Sequence, residues 1–329
     1  AHHVTLERLR IVNHGRHRLN VAISTKCPAW GWVIRDNEIY RAGTGLYLGN
    51  SDGHAPFVGG LIERNLVLDS IGYDLQIKHQ KPRPTDAGLP TWPSVTVIRR
   101  NVFSKAVNAA GGEHAQPNVL VGHFPVSGDG VADRYVIHGN VFHENPFEAL
   151  FQGEGNIALY NNVFVNRHGS AIHIQPHNGV PGEIDIFGNT VLASGHGISV
   201  TGGNPVMRQR VRDNVVFANP PLQGSAEASG NLVGSFDNAV LHLRRAVGPL
   251  EAIDLRPMRP VRGRPARDTA LPDADRDFCG MPRSGTAPGA FVDEGPTPKL
   301  SIRRRLSATS WCRDDANGRP AADNPTRRP

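Results

Sequence analysis

The sequence predicts an all-β fold: a single-stranded parallel β-helix, or solenoid, of about nine coils with an irregular C-terminal tail. Two observations carry this prediction. A short motif with a fixed asparagine recurs along the chain, and a short apolar strand follows that asparagine at a nearly constant interval. One such coil cannot bury its own apolar face, so it must stack on its neighbours.

The recurring motif has the pattern apolar-x-x-Asn-x-apolar, as in "IRDNEI", "IRRNVF" and "IFGNTV". Its asparagines are Asn37, Asn65, Asn101, Asn140, Asn162, Asn189, Asn214 and Asn231, and Leu9 takes the same slot in an earlier coil. Successive asparagines are 17 to 39 residues apart, a scatter that fits solenoid coils with loops of variable length. Amides at one corner of stacked coils can form a ladder at a spacing of about 4.8 Å.

The second strand supplies another row of inward apolar residues. We expect them at Leu46, Leu75, Ala149, Ile172, Ile198 and Val240, nine or ten positions after the asparagine, and at Val119 after a longer interval. Leu19 takes this place in the first coil. Because side chains alternate along a strand, the flanking residues should face solvent. A leucine-rich repeat is excluded because its L-x-x-L-x-L consensus is absent, and a β-sandwich would not show this periodicity.

On these repeats and on the closing stretch "DFCGMPRSGTAPGAFVDE" (277–294), the chain resembles right-handed parallel β-helix proteins of the pectate-lyase-like superfamily. The resemblance covers residues 1–295. It implies a right-handed solenoid and a bacterial protein that is secreted or periplasmic, with its N-terminal signal outside the given chain. It does not decide the reaction, because members include polysaccharide lyases, glycoside hydrolases, uronate epimerases and adhesins without catalysis.

Composition adds domain boundaries and excludes some partners. Residues 1–295 are predicted to form the β-helix, with the Pro- and Arg-rich segment 244–276 packed on it, and 296–329 to be a poorly ordered basic tail. Residues 1–243 hold 19 basic and 19 acidic residues, so no basic face predicts nucleic acid binding. No apolar run is long enough to cross a bilayer. We expect a monomer whose partner is a polysaccharide.

The cysteines and acidic turns give weak signals. Cys27, Cys279 and Cys312 have no metal-finger spacing, and both a Cys279–Cys312 disulfide and three free thiols remain open. No metal site and no cofactor are predicted. The turns "NSDG" (50–53) and "SGDG" (127–130) could still coordinate Ca²⁺ weakly through loop oxygens.

The polar outward side chains concentrate in the middle coils. Lys78 is expected between Gly49 and Gly122, in an open pocket, with His123 and His173 on coils that follow. The long loops "GNSDGHAPFVGG", "KHQKPRPTDAGLPTWPS" and "GHFPVSGDGVAD" leave the same edge of this sheet, and such loops are usually functional. Trp92 and Phe124 on these loops could stack on sugar rings.

Lysine and histidine in this zone predict chemistry on an acidic sugar. β-Elimination and epimerisation of a uronate both begin by removing the proton α to the carboxylate, which needs a base and a cation. We predict Lys78 as the base and His123 as the acid, with His173 and an arginine neutralising the carboxylate. The predicted substrate-binding residues are Tyr47, Asn50, Asp74, Gln76, His79, Lys81, Arg83, Trp92, Glu148, Gln152, Gln175 and His177.

Two alternatives remain open at this point. Asp74 and Glu148 would be outward carboxylates about 10 Å apart by strand spacing, which permits an inverting glycoside hydrolase. A β-helix that binds carbohydrate or another surface without turnover fits the same pattern. "GHGISV" (195–200) resembles a polygalacturonase segment, but the Asn-Thr-Asp and Asp-Asp segments of that family are missing, so His196 receives no role.

Overall fold

In the computed structural model, which describes residues 1–84, 87–259, 270–283 and 287–291, the chain winds into a right-handed parallel β-helix. Three parallel sheets of nine, nine and eight strands run along its length. Each complete coil adds one strand to the first sheet, then one to the second and one to the third. The predicted fold class is confirmed.

The strands are short because every coil turns three corners. The first sheet contains Thr5–Glu7, Val33–Arg35, Leu61–Glu63, Val95–Arg99, Arg134–His138, Ile157–Tyr160, Ile184–Phe187, Gln209–Arg212 and Glu227–Ser229. The second sheet contains Arg10–Val12, Glu38–Tyr40, Leu66–Leu68, Val102–Ser104, Val141–His143, Val163–Asn166, Thr190–Ala193, Val215–Phe217 and Leu232–Gly234. The third sheet contains Val21–Ser24, Thr44–Leu48, Leu75–Ile77, Val119–Val121, Phe151–Gly153, Ile172–Ile174, Ile198–Val200 and Leu222–Gly224.

The remaining elements lie outside these sheets. They are the strand pairs Ala29–Trp30 with Phe57–Val58 and Leu243–Arg245 with Asp254–Pro257, the α-helix Ala239–His242, and the 3₁₀ turns Gly112–His114, Phe236–Asn238 and Leu250–Ala252. Among the described residues, no helix has the length and apolar character needed to cross a membrane.

The corner between the first and second sheets is a left-handed residue followed by an asparagine. The residue before each motif asparagine has a positive φ, for example Asp36 (56°) and Gly188 (62°). This turn directs the amide into the interior, where each Nδ2 donates to the Oδ1 of the next asparagine at 2.9–3.0 Å, from Asn37 through Asn231. The predicted ladder is confirmed in every coil. Leu9 also fills its slot, and its N–H donates to Asn37 Oδ1 at 3.0 Å.

A second, shorter asparagine ladder lies at the corner between the second and third sheets, and the sequence did not predict it. Asn145 Nδ2 donates to Asn118 Oδ1 at 3.0 Å, and the Asn145 backbone N–H donates to Asn166 Oδ1 at 3.3 Å. All three side chains are fully buried. Their sequence spacing follows no repeated motif, because the connection between these two sheets differs in length from coil to coil.

The inward row of the third sheet differs from the prediction in three coils. Val119 pairs with Phe151, which in turn pairs with Ile172, so Phe151 takes the place predicted for Ala149. In the first coil Ile23 pairs with Leu46, whereas Leu19 is 66% exposed. Val240 lies in the helix Ala239–His242, and the strand that follows Ile198 in the sheet is Leu222–Gly224. The inward residues were predicted at a fixed interval after the asparagine. The predictions are wrong in coils where the connection to the third sheet has a different length.

The segment after the last coil covers two of the three sheets. Leu243, Leu255 and Phe291 belong to an apolar cluster with the outward residues of the second sheet. Ala274 packs on the first sheet, where the Tyr160 hydroxyl also donates to the Pro272 carbonyl at 2.5 Å. The third sheet is therefore the sheet without this cover in the described structure.

Part of the predicted C-terminal organisation lies outside the described residues. This applies to the tail 296–329 and to the middle of the segment 244–276. Cys27 is a free thiol, whereas Cys279 is disulfide-bonded. Cys312 is outside the described ranges.

Removing one amide from the middle of the ladder should destabilise the fold more than removing one from its end. Asn140 exchanges buried hydrogen bonds of 2.9–3.0 Å with Asn101 and Asn162, so Asn140→Ala leaves buried polar groups unpaired. We expect a loss of about 2–4 kcal/mol in the free energy of unfolding. Asn231→Ala, at the partly exposed end, should cost about 1 kcal/mol. Denaturant unfolding followed by circular dichroism measures both, and equal losses would contradict the ladder's role.

Candidate functional site

Two columns of side chains line the outward face of the third sheet. The middle column consists of Tyr47, Gln76, Leu120, Gln152, His173 and Ser199, which are partners in the strand register. The flanking column lies two residues further along each coil and consists of Gly49, Lys78, Gly122, Glu154, Gln175 and Thr201. Backbone hydrogen bonds continue the register there, from Lys78 N–H to Leu48 and from Glu154 N–H to Val121. Tyr47, Gln76, Lys78, Gln152, His173 and Gln175 therefore lie on the strand face where the sequence placed them.

Lys78 occupies a slot between two glycines. A Cβ atom added to Gly49 would lie 3.3 Å from the Lys78 Cβ, and one added to Gly122 would lie 2.3 Å from the His79 backbone nitrogen. Backbone atoms therefore fill the position of a side chain at Gly122 and closely approach it at Gly49, so the two glycines allow close packing beside Lys78, and the open pocket expected from their missing side chains is not formed. Lys78 Nζ lies 5.7 Å from the centre of the Tyr47 ring, within cation–π range.

Two histidines lie beside this lysine. The rings of His79 and His123 stack with centroids 5.4 Å apart and an angle of 26° between their planes. His123 Nδ1 lies 2.8 Å from the Phe124 carbonyl oxygen, which can only accept, so Nδ1 carries a proton and Nε2 is left for proton transfer. His79 Nδ1 is buried without a hydrogen-bond partner among the described residues. The structure therefore brings Lys78, His79 and His123 together.

Glu154 completes this cluster, and sequence reasoning missed it. Its carboxylate is buried and accepts the backbone N–H groups of His177, Asn178 and Gly179 at 2.8–3.1 Å. The prediction took Ala149 as the inward residue of this strand, two residues before the observed one. The residues predicted to face outward therefore ended at Gln152. When the strand in "LFQGEG" is centred on Phe151 instead, Glu154 comes three residues after the inward residue, as Lys78 does after Leu75.

The surroundings of Lys78 and His79 favour the neutral forms of both side chains, which can accept a proton. Burial lowers the pKa of Lys78 from its ordinary value of 10.5, and the Glu154 carboxylate opposes this shift. Burial also lowers the pKa of His79 from 6.5, reinforced by the charges of His123 and Lys78. The His79 imidazole is therefore mostly neutral at pH 7, and a neutral Lys78 amine is more accessible than that of a solvated lysine.

Two loops form a wall beside the slot. Lys81 Nζ lies 3.1 Å from His54 Nε2, and the Lys81 backbone N–H donates to the Gly53 carbonyl at 3.0 Å. Asn50 lies in the same turn, where its amide donates to Asp52 at 3.3 Å. In the described part of the chain, no group of three or more His, Cys, Asp or Glu side chains is arranged to hold a metal ion.

Arg83 and Phe124 have structural contacts that the sequence did not predict. Arg83 is buried, pairs with Asp133, and donates to the backbone carbonyls of Pro90 and Trp92, so it anchors its own loop and does not reach a substrate carboxylate. Phe124 is buried and stacks on a core tyrosine. Trp92 is 59% exposed, as a sugar platform requires, and its ring lies 6.3 Å from that of Trp30.

Asp74 does not face solvent, which corrects the expectation of an outward carboxylate. It is fully buried at the corner before the strand Leu75–Ile77, where alternation along the strand no longer applies. Its charged neighbour is Lys105, also fully buried, whose Nζ donates to the Gln116 carbonyl at 2.6 Å. Burial raises the pKa of Asp74 and lowers that of Lys105 to about 8. The carboxylate pair proposed for hydrolysis is therefore not assembled on this face.

His173 belongs to a separate group. It lies three strands from Lys78 in the third sheet, about 14 Å away by strand spacing. Its ring centroid is 5.8 Å from that of His196. Burial lowers the pKa of His173, and the Glu148 carboxylate opposes the shift. The structure does not bring His173 into the Lys78 cluster, although both face the same sheet surface.

The remaining predicted residues line the edges of the surface. Gln76 is almost buried between Tyr47 and Leu120, while Gln152 is half-buried beside His173. Gln175 and His177 are exposed. The backbone N–H of His177 donates to Glu154, so His177 lies next to the cluster. Its side chain takes no part in this contact.

Comparison with protein-family models, with curated proteins and with solved structures found no match. The interpretation of the site therefore rests on the side chains of this chain and on their geometry.

Replacing Lys78 by methionine should raise the pKa of the His79 imidazole, because a nearby positive charge that disfavours protonation is removed. The measurement is an NMR titration of the assigned His79 ring protons. Arg8→Met is a matched control, since Arg8 is an exposed cation at a different corner of the first coil. An unchanged or lower His79 pKa in Lys78→Met would contradict the proximity of the two groups.

Proposed function

We propose that this protein is a polysaccharide-active enzyme that acts on a uronate-containing polymer by β-elimination or epimerisation. The observation that carries the proposal is the slot of Lys78, an amine of lowered pKa between two glycines, beside two imidazoles and a fixed carboxylate. This slot lies on the sheet that the C-terminal segment leaves uncovered. The pectate-lyase-like superfamily, which the repeat pattern and closing stretch resemble, includes enzymes of this class.

An acidic polymer fits the charges around the slot. The ammonium groups of Lys26, Lys78 and Lys81 lie on this face, and the Tyr47 ring offers a flat surface between them. Carboxylate groups of the substrate would replace the water around these cations. Trp92, on the loop that follows Lys81 in the sequence, has an exposed ring that suits stacking against a sugar.

In the proposed mechanism the neutral amine of Lys78 removes the proton α to the substrate carboxylate. The cations beside it stabilise the negative charge that then develops on the carboxylate oxygens. His123, with Nδ1 held by the Phe124 carbonyl, presents Nε2 as the second proton-transfer group. In its protonated form it returns a proton to the leaving oxygen in elimination, or to the opposite face of the sugar carbon in epimerisation.

Glu154 serves this mechanism as a positioning residue. Its carboxylate is fixed by three backbone N–H groups, so its charge stays in place beside Lys78 and His79. It moderates the effect of burial on the lysine, which keeps part of the lysine protonated for binding an anionic sugar. Export to the periplasm or out of the cell belongs to this proposal, since Cys279 is disulfide-bonded and such bonds persist in oxidising compartments.

A second candidate is a β-helix that binds carbohydrate without turnover. The exposed ring of Trp92, set edge-on against Trp30, favours it, because a ring platform alone is enough for binding. A panel of alginate, pectate, glycosaminoglycans and bacterial exopolysaccharides separates the two functions. Binding without unsaturated ends, epimerised residues or new reducing ends would support this second candidate.

On the polymer that responds, Lys78→Met should lower kcat by about 10²–10⁴-fold, the range for removing a proton-transfer group. Product formation is measured by the ultraviolet absorbance of unsaturated uronate ends or by NMR of epimerised residues. Arg8→Met removes the same charge outside the site and should retain full activity. An active Lys78→Met variant would refute the assignment of the base.

The pH dependence of kcat/KM should show whether Lys78 is the base. With Lys78 as the base, kcat/KM rises with pH through a pKa below 10.5, because burial favours the neutral amine. In Glu154→Gln the opposing negative charge is gone, so the lysine pKa falls further and the rising limb moves to lower pH. Full pH–rate profiles of both proteins measure this displacement. A move to higher pH would contradict the role given to Glu154.

A further inference from the structure

Lys26 lies in the same outward column as Lys78, two coils before it. The register pairs Ser24 with Tyr47, and the next backbone N–H, that of Thr25, donates to the Tyr47 carbonyl at 3.2 Å. Two residues after Ser24, Lys26 therefore comes opposite Gly49, the glycine that precedes Lys78 in the column. The sequence placed the first-coil strand around Leu19 and so did not show this alignment.

The two ammonium groups share one aromatic ring. Lys26 Nζ lies 5.5 Å from the centre of the Tyr47 ring, and Lys78 Nζ lies 5.7 Å from it. Lys26 is exposed, and its ammonium group has no carboxylate partner within the described part of the chain. Its backbone has a φ of 43°, a left-handed conformation that L residues rarely adopt. The fold thus holds a free cation at the edge of the site.

The spacing of the two lysines matches a polymer that lies along the solenoid axis. Strands of a sheet are about 4.8 Å apart, so side chains two coils apart are separated by about 10 Å. In an extended 1,4-linked polyuronate, alternate sugars turn the same edge to one side, and their carboxylates are one disaccharide length apart. Gly49, between the lysines, has no side chain and so places no charge beside the intervening sugar.

The charge along this column changes sign after Lys78. The next charged position is Glu154, whose buried carboxylate is fixed by backbone N–H groups and would repel a substrate carboxylate. Gln175 and Thr201 follow and carry no charge. Acidic sugars are therefore favoured on the Lys26 side of the slot and disfavoured on the Glu154 side.

We propose that Lys26 is a specificity residue that binds the carboxylate of the second sugar away from the reacting uronate, toward the first coil. The inference rests on the proposed function, since it needs the reacting uronate at Lys78. It implies that the protein recognises successive acidic sugars only on the Lys26 side of the reacting residue.

The test uses 1,4-linked uronate oligosaccharides of two, four and six residues, built from the uronate of the polymer that responds best. Their Kd is measured by calorimetry, or their KM where they are turned over, for wild type, Lys26→Met, Lys26→Arg and Arg8→Met. For the longer oligosaccharides we expect about three- to fivefold weaker binding in Lys26→Met, as for one exposed charge contact. Lys26→Arg should restore it, and Arg8→Met should bind each oligosaccharide as the wild type does.

The disaccharide separates this inference from general charge effects. It is too short to reach Lys26 from Lys78, so its affinity should change less than twofold in Lys26→Met. Equal weakening at every length, or no weakening at any length, would overturn the inference while leaving the proposed function intact. If wild type binds no uronate oligosaccharide of any length, the proposed function itself fails, and the inference with it.

Discussion

A side-chain amide at one corner of every coil after the first is the interaction on which the rest of this structure depends. A left-handed residue turns the chain, and the asparagine after it binds the asparagine of the next coil. Because the amides from Asn37 to Asn214 are buried and bonded on both sides, a coil cannot slip by one residue without breaking several hydrogen bonds at once. Register is thus fixed at the corner between the first and second sheets.

The other two corners are freer, and the site follows from that freedom. The connections that leave the third sheet vary in length without disturbing the ladder, so they can carry the wall formed by Lys81 and His54. The C-terminal segment covers the outer faces of the first and second sheets. The outer face of the third sheet, which carries Lys78, therefore remains uncovered, and the proposed polymer would lie on it.

Much of this could be read from the sequence, and the failures have a physical pattern. The asparagine corner repeats a local motif, so the ladder was predictable, and so was the place of Lys78 between Gly49 and Gly122 on the outward face. Phe151 took the place of Ala149, but the error was two residues, which preserves the side-chain alternation and kept Gln152 on the outward face. The same error hid Glu154. Asp74 and Arg83 could not be placed, because their burial depends on partners distant in sequence, Lys105 and Asp133.

The two glycines beside Lys78 also affect how such a protein can evolve. Any side chain at Gly122 would collide with the backbone of His79, and Gly49 has a φ of 88°, which other residues rarely tolerate. Random substitution is therefore removed at both positions by the cost to folding, whether or not catalysis is under selection. The exposed lysines around the slot carry no such cost. Descendants of this chain can therefore change the charges around Lys78, while the close backbone packing at the two glycines is inherited unchanged.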